Sequence, residues 1–556
     1  MFSTKRNILQ TIALLKAYGV KHIVVSPGSR NAPLMQTFSQ EAFFDCHVIV
    51  DERNAAFYAL GIIQAKRCAV AICCTSGSAL LNYAPAVSEA YYQQLPLIVI
   101  SADRSPEWIG QMDGQTLPQS GVFGSLVKKA VNLPEIKNDA DEWFCNRLVN
   151  EALIACTSDA PGPIQINIPL SEPLFDYSES SLPQARRIYA AKIEKKADIS
   201  HYSQLWQQLP KRIIVVGQMF YSEDTVYTLE NLAYKHNCVI LTEHLSNCIS
   251  SKFVSNFDAL LYQLSDKEKD SYKPDLLITL GGHIVSKRIK HFFRQYKPQA
   301  HWLLTQSGDV VDLFQSLTDV IETDTVNFLR DIQENIPETK DNSFSVLWNN
   351  TAHAIEVPSS NIPYSDIWAT GEFLKAISEN SILHLANSTS VRNVQLFDIK
   401  PSIRIFCNRG INGIESTLPT TIGFAAVCSS PVYLIIGDLS FFYGLNALWN
   451  IHHIKNLRIL LVNNGGGGIF HLLPGLNKSA SLEQFVSAQH ISDAEEWAKA
   501  AGFKYLSAGN KTEFIEQLAA FTTTEQTEQS TILEVITDMD TCKKTFQEYY
   551  HHLKNI

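Results

Sequence analysis

VYLIIGDLSFFYGLNALWNIHHIKNLRILLVNNGGGG, residues 432–468, reads as one strand–helix–strand unit that carries its polar residues at the strand ends. The first apolar run stops at Gly437 and Asp438. The second stops at Asn463 and Asn464, and four glycines follow. In a parallel sheet this spacing places Asp438 and Asn464 at one sheet edge, on neighbouring strands. A carboxylate, an amide oxygen and a free backbone carbonyl make a hard, incomplete oxygen shell. Mg²⁺ completes such a shell with phosphate oxygens and water. The glycines allow backbone to come close to that phosphate. Plainer readings stay open: Asn and Gly are the usual turn residues, and Asp438 suits a helix cap. The stretch matches neither GxxxxGK[ST] nor GxGxxG, so it is neither a P-loop nor a dinucleotide fingerprint.

The same strand-then-helix pattern runs along the whole chain. A first group holds KHIVVSPGSR (21–30), CHVIVDER (46–53), AVAICCTSGS (69–78), LPLIVISADR (95–104) and PIQINIP (163–169). A second holds RIIVVG (212–217), CVILT (238–242), DLLITLGG (275–282) and HWLLT (301–305). A third adds SILHLANSTS (381–390), IRIFCNRG (403–410) and ILEVIT (532–537) to the opening unit. Unbroken apolar strands alternating with helices imply parallel sheets covered on both faces. The fold class is therefore α/β, with domains at 1–180, 195–335 and 355–556 separated by polar stretches near 175–200 and 335–362. Ligands of such sheets gather at the carboxyl ends of the strands. In the first group those ends carry Ser29, Arg30, Asp51, Glu52, Ser76, Asp103 and Arg104.

Composition narrows the function classes. Over 556 residues, 45% hydrophobic and 18% charged residues describe an ordinary globular chain. A formal net charge of −10 argues against a general nucleic-acid binder, yet leaves room for a local basic pocket. Eleven cysteines, scattered without a CxxC pair, read as reduced core residues of a cytoplasmic protein. The N-terminus imitates a signal peptide, but Gln10, Thr11 and Lys16 interrupt it, and Ile8, Ile12 and Leu15 fit one helical face. No apolar run is long enough to span a bilayer.

GDLS followed, after a helix and a strand, by NNGGGGIF resembles the thiamin diphosphate and Mg²⁺ motif of thiamin-dependent enzymes. That family also has a pyrimidine, a central and a diphosphate domain, and its pyrimidine domain supplies a glutamate just after the second strand. Here the matching residue is Glu52, in VDERNAAFYALG. More closely, the chain resembles the 2-succinyl-5-enolpyruvyl-6-hydroxy-3-cyclohexene-1-carboxylate synthases of menaquinone biosynthesis. SPGSRNAPL (26–34), TSGSALLNYAPAVSEA (75–90), SADRSPE (101–107), CNRGINGIEST (407–417), GDLSFFYGLNAL (437–448) and VNNGGGGIFHLLP (462–474) carry that resemblance. It is weakest in the central domain. One departure is Gly465, where the family often places a third asparagine or similar residue.

The resemblance implies decarboxylation of 2-oxoglutarate on thiamin diphosphate and addition of the product carbanion to isochorismate, with Mg²⁺ or Mn²⁺. The runner-up is another thiamin-dependent 2-oxoacid decarboxylase or an acetohydroxyacid synthase-like enzyme. By resemblance, Glu52 hydrogen-bonds the pyrimidine and favours its imino tautomer, helped by apolar surroundings that tune its proton. Ile414 props the bent cofactor, although the sequence by itself favours plain core packing there. Asn387, Ser388, Gly410, Gly437, Asp438, Leu439, Ser440, Asn464, Gly466 and Gly467 fall to the cofactor, with Asp438, Asn464 and Gly466 on the metal. Ile469, Phe470 and Leu473 line the cavity. Both substrates are dianions, and Ser29, Arg30, Arg104, Gln115, Lys287, Ser388, Arg392 and Arg409 stand at the family's substrate-recognition positions. Arginine suits carboxylates because its planar fork binds them bidentately. A homodimer or homotetramer is implied, with Glu52 of one subunit facing the metal site of another.

Overall fold

The structure is a computed structural model of the chain, and it describes residues 1–191, 198–450, 454–473, 475–523 and 529–554. Among the described residues there are three all-parallel sheets. The first contains β1 (His22–Val25), β2 (Asp45–Val48), β3 (Val70–Cys74), β4 (Leu97–Arg104), β5 (Lys129–Asn132) and β6 (Ile164–Leu170), in the order β2-β1-β3-β4-β6-β5. The central sheet contains β7 (Arg212–Val216), β8 (Cys238–Thr242), β9 (Leu276–Leu280), β10 (Ala300–Thr305) and β11 (Asp319–Glu322), in the order β11-β10-β9-β7-β8. The third contains β12 (Ile382–Leu385), β13 (Arg404–Phe406), β14 (Val432–Gly437), β15 (Leu457–Asn463), β16 (Lys504–Ala508) and β17 (Thr531–Ile536), in the order β13-β12-β14-β15-β17-β16. The α/β class with three sheets, each flanked by helices, is as the sequence implies.

Renumbered from its own first strand, the third sheet repeats the order of the first. Each sheet therefore reverses its winding between its first and third strands. Such a reversal opens a crevice at the carboxyl ends, the usual ligand position of an open α/β sheet. In the third sheet this crevice lies between β12 and β14, so it falls at Asn387, Ser388 and Asp438. In the first it lies between β1 and β3, beyond which stand Ser29 and Arg30.

Arg6–Ala17 is a helix, with Ile8, Ile12 and Leu15 fully buried. All cysteines but Cys46, Cys68 and Cys428 are buried. The polar stretch after the first sheet runs back along that domain: Phe2 N–H donates to the Glu179 carbonyl at 2.8 Å, and Tyr18 Oη to that of Ile188 at 2.7 Å. Residues 192–197 of that stretch lie outside the described residues. Among the described residues no helix is long and apolar enough to cross a membrane.

One hydrophobic cluster joins the first domain to the third. Helix Glu52–Lys66 crosses helix Thr417–Ala425, and Phe57, Leu60, Leu418 and Ile422 are buried together. Two glycines permit the crossing. A Cβ on Gly61 would lie 2.6 Å from the Phe424 nitrogen, and one on Gly423 would lie 2.7 Å from the Tyr58 carbonyl carbon. Both obstacles are backbone and cannot swing aside. Gly61→Ala should destabilise the chain by about 1–3 kcal/mol or more, the usual cost of overpacking. Calorimetric melting checks this, and an unchanged melting temperature contradicts so close a crossing.

Candidate active site

β14 and β15 pair in parallel with Gly437 opposite Val462, which brings Asp438 and Asn464 to the same edge. Asp438 is buried and opens the short helix Asp438–Tyr443. Its Oδ1 accepts the Leu439 N–H at 2.6 Å. Its Oδ2 accepts the N–H groups of Asn464 at 3.1 Å and Gly466 at 3.0 Å. The acid thus closes the glycine loop as well as starting a helix. His490 Nε2 stands 3.3 Å from the same Oδ2. Burial raises the Asp438 pKa, while the three N–H donors and His490 oppose the rise.

The two asparagines do different work. Asn463 is buried and donates through Nδ2 to the Ser492 carbonyl at 2.8 Å and to Glu534 Oε1 at 2.7 Å. Its Oδ1 accepts the Gly465 N–H at 3.1 Å. Asn464 is only half-buried, and a Cβ on Gly468 would sit 2.9 Å from its Nδ2. The glycines serve the protein's own packing too. Gly465 and Gly466 have φ of +77° and +149°, and a Cβ on Gly466 would lie 2.7 Å from the Ser487 carbonyl. Gly467 N–H donates to that carbonyl at 2.7 Å. A Cβ on Gly437, by contrast, would meet nothing within 4 Å, so the space beside Asp438 is open. Ser440 is buried one turn into the helix.

Across the switch point, Asn387 ties down the loop after β13. Its Nδ2 donates to the carbonyls of Asn408 at 2.9 Å and Gly413 at 2.8 Å, and its Oδ1 accepts from Arg409 at 2.7 Å. Ser388 holds φ +77°, a left-handed conformation that costs a non-glycine residue energy and is common at functional turns. Arg409 is buried, and its Nε has no hydrogen-bond partner. Arg409 and Arg392 repel each other: burial first, then Arg409, lowers the Arg392 pKa. Lys290 is likewise lowered by burial and by both arginines, with Glu243 opposing. Three cations therefore share one region, with Glu243 and Asp258 beside them.

Arg392 alone of the three lines a cavity of about 710 Å³ between the central and third domains. Lys287, Arg392, Ile469 and Leu473 line it, together with Arg288 and Glu243. Phe470 lies on the same short 3₁₀ turn, Gly468–Leu472. Arg288 is bonded to Asp258 and lies 4.3 Å from the Tyr550 ring centre. Burial pushes the Glu243 carboxyl up to about 7, although it accepts the Val285 and Ser286 N–H groups, both at 2.6 Å.

Arg30 and Arg104 form a separate group on the first sheet. Arg30 is buried, donates to the Leu170 carbonyl and pairs with Glu172 at 3.1 Å; burial, then Arg104, lowers its pKa. Arg104 donates to the Gly114 carbonyl at 3.1 Å and lies 3.7 Å from Asp113. Ser29 and Gln115 are exposed nearby in sequence, Gln115 with φ +57°. Among the described residues no hydrogen bond or ion pair links this group to Arg392 and Arg409.

Glu52 and Ile414 differ from their sequence reading. Glu52 begins helix Glu52–Lys66, capped by Asp51, and is half-buried with Asn82 Nδ2 at 3.4 Å. The apolar enclosure expected for it is incomplete within one chain, because the helix start faces outward. Ile414 is 36% exposed and outside the core, with Ile411 exposed beside it. The clamp on Asn408 and Gly413 holds this loop at the surface.

Sequence reasoning passed over Arg288, Lys290, Glu89 and His490. The basic run KRIK at 287–290 was a usable signal for the first two. Nothing local marks the others.

Family models match the chain in three consecutive parts. "Thiamine pyrophosphate enzyme, N-terminal TPP binding domain" covers residues 10–122, "Middle domain of thiamine pyrophosphate" covers 174–397, and "Thiamine pyrophosphate enzyme, C-terminal TPP binding domain" covers 388–535. The 2-succinyl-5-enolpyruvyl-6-hydroxy-3-cyclohexene-1-carboxylate synthase of Phocaeicola vulgatus is 46% identical over the full length of both chains. That of Bacteroides thetaiotaomicron is also 46% identical over the full length of both, and that of Flavobacterium psychrophilum is 36% identical over 98% of each. The chain belongs to this synthase family. The Asp438 loop and the loop that Asn387 clamps, residues 408–413, lie inside the C-terminal thiamine pyrophosphate part of this synthase-family chain, and Asn387 itself falls in the middle part.

The roles of the asparagines separate in a stability test. Asn463→Ala leaves the buried Glu534 Oε1 without its donor, which should cost about 1–3 kcal/mol, more if the carboxylate is charged. Asn464→Ala should melt like the parent chain. Denaturant titration of both variants checks this, and equal losses contradict the division of labour.

Proposed function

We propose that the chain decarboxylates 2-oxoglutarate on thiamin diphosphate and joins the remaining four-carbon unit to isochorismate. The products are 2-succinyl-5-enolpyruvyl-6-hydroxy-3-cyclohexene-1-carboxylate and CO₂, a step of menaquinone biosynthesis. One observation carries the substrate assignment: Arg392, Arg409 and Lys290 stand close enough to repel one another, with Arg409 Nε unpartnered. A dianion supplies the missing charge.

Thiamin diphosphate, when bound, supplies the electron sink for decarboxylation. The chain supplies its seat. Asp438, the Asn464 amide and the Gly466 carbonyl offer oxygen donors of the kind Mg²⁺ or Mn²⁺ takes alongside a diphosphate. The open space beyond Gly437 admits those phosphates. Asn387, Ser388, Gly410, Leu439, Ser440 and Gly467 border the same crevice. Ile414, Ile469, Phe470 and Leu473 give it apolar walls that exclude water. Glu52 holds a proton on the pyrimidine ring of a cofactor seated in the partner subunit, which explains its half-buried state in one chain. Arg30, Arg104, Ser29 and Gln115 close over the substrate from that same direction, so the working unit is a homodimer or a homotetramer. Lys287 binds substrate from the central-domain side. Charge and composition fit a cytoplasmic enzyme.

Asp438→Ala should abolish divalent-dependent thiamin diphosphate binding, read by calorimetry on the apo-protein. Unchanged affinity removes Asp438 from the site. Supplied with isochorismate and either 2-oxoglutarate or pyruvate, the enzyme should consume isochorismate and release CO₂ only with 2-oxoglutarate. Arg409→Ala should lose about 2–5 kcal/mol of transition-state stabilisation, because a buried substrate charge is left unpaired. Comparable rates with pyruvate would move the chain to the wider class of 2-oxoacid decarboxylases.

A further inference from the structure

Glu89 is a glutamate of the first domain with no exposed surface, and its carboxylate is spent on the third domain. It sits on helix Ala84–Tyr92. Its Oε1 accepts the Gly410 N–H at 2.7 Å, and its Oε2 accepts the Ile411 N–H at 2.8 Å. Gln93, on the next turn, donates to the same Oε1. The fit is close from the other side too, because a Cβ on Gly410 would lie 2.8 Å from the Glu89 backbone carbonyl and 3.0 Å from Oε2. The two N–H groups belong to residues directly after Arg409, whose guanidinium is buried and held at one end by Asn387.

We infer that Glu89 is a positioning residue, which fixes the Arg409 backbone so that its guanidinium meets the substrate carboxylate in a set orientation. This rests on the proposed use of Arg409 as a substrate anchor. The chemistry calls for a carboxylate here. Two convergent N–H donors require an acceptor on both arms, and only an ionised carboxyl offers that. Glutamine would turn an NH₂ towards one N–H, leaving a buried donor facing a donor. The Glu89 charge also faces Arg409, so it offsets part of the cation's burial before substrate arrives. The burial that raises the Glu89 pKa is countered by these same three contacts, Ile411, Gly410 and Gln93, and by Arg409. A buried carboxylate reaching between domains would be a costly choice for plain packing, since an apolar side chain fills space without desolvating a charge.

The test compares Glu89→Gln with the parent enzyme, full chain and loaded with cofactor. Amide hydrogen exchange across residues 407–413 should speed up at Gly410 and Ile411 in the variant. Thiamin diphosphate affinity should change little, whereas the melting temperature should fall, because a buried donor is left facing a donor. The KM for 2-oxoglutarate should rise on the order of 10–100-fold, the range that follows a small misplacement of a binding group, with kcat falling less. Gly410→Ala, which pushes the loop off Glu89 from the opposite side, should shift KM in the same direction, and it serves if Glu89→Gln does not fold. Exchange at Gly410 and Ile411 unchanged in Glu89→Gln overturns the inference. So does faster exchange with an unaltered KM, or a loss of kcat, KM and cofactor affinity in common proportion. Should the parent enzyme refuse 2-oxoglutarate, the functional reading fails on its own, and the inference then stands or falls on the exchange rates and on the KM for whichever 2-oxoacid is used.

Discussion

Cys407–Gly413 follows the short edge strand β13 and has no ladder of its own, so its backbone polar groups must be satisfied by side chains. All three domains contribute. The Cys407 carbonyl accepts from Gln218 of the central domain at 2.7 Å. The Asn408 and Gly413 carbonyls accept from Asn387 of the third, and the Gly410 and Ile411 N–H groups are taken by Glu89 of the first. The Asn408 side chain is shared, accepting from Gln64 at 3.2 Å and donating to Thr420 at 2.9 Å. An irregular loop with this many partners is placed as firmly as a strand. It ties the domains together and sets where Arg409 and Ile414 stand.

The fold was legible where strands are buried on both faces. β3, β4, β7, β9, β14 and β15 are continuous apolar runs, and burial on two faces requires such runs. The strands that the sequence hid are β5, β11 and β16, and each lies at an edge of its sheet. Lys129–Asn132, Asp319–Glu322 and Lys504–Ala508 are short and carry Lys, Asn, Asp, Glu or Ser, because an edge strand needs less apolar surface. Pattern reading therefore finds the middle of each sheet and loses one side. The sheet order, and with it the switch point that explains where the site lies, is also invisible to pattern alone.

At the site the same division holds between local and distant signals. Asp438 and Asn464 could be paired because one strand–helix–strand unit separates them, and the backbone geometry of that unit is fixed. The glycines were legible only in part. Close approach is real, but much of it is to Ser487 and Gln489 of the protein itself. Glu89 sits 321 positions from the N–H group it binds, and His490 comes to Asp438 from a later segment. No spacing rule reaches that far. Core packing, the reading that the sequence by itself favours for Ile414, is not met, because the clamp on its loop keeps the side chain at the surface.

A chain of net charge −10 that gathers Arg392, Arg409 and Lys290 in one crevice has made a local choice against its global balance. The acidic surface does not help such a pocket attract dianions; it repels them at long range, although salt screens that repulsion beyond about 8–10 Å. Inside the crevice the balance reverses, because low-dielectric walls strengthen each cation at contact distance. Stability opposes the arrangement, since like charges held close and out of water lower one another's pKa, as Arg392 and Lys290 show. The fold resists that repulsion with acids placed beside the cations: Glu243 opposes the fall at Lys290, Asp258 holds Arg288, and Glu89 faces Arg409. Each of these acids is also held by other hydrogen bonds, which fix the distance at which it acts. Arg392, Arg409 and Lys290 are thus steadied by fixed acids, yet among the described residues none of the three has an ion pair of its own, a balance that suits the dianionic substrate proposed for the site.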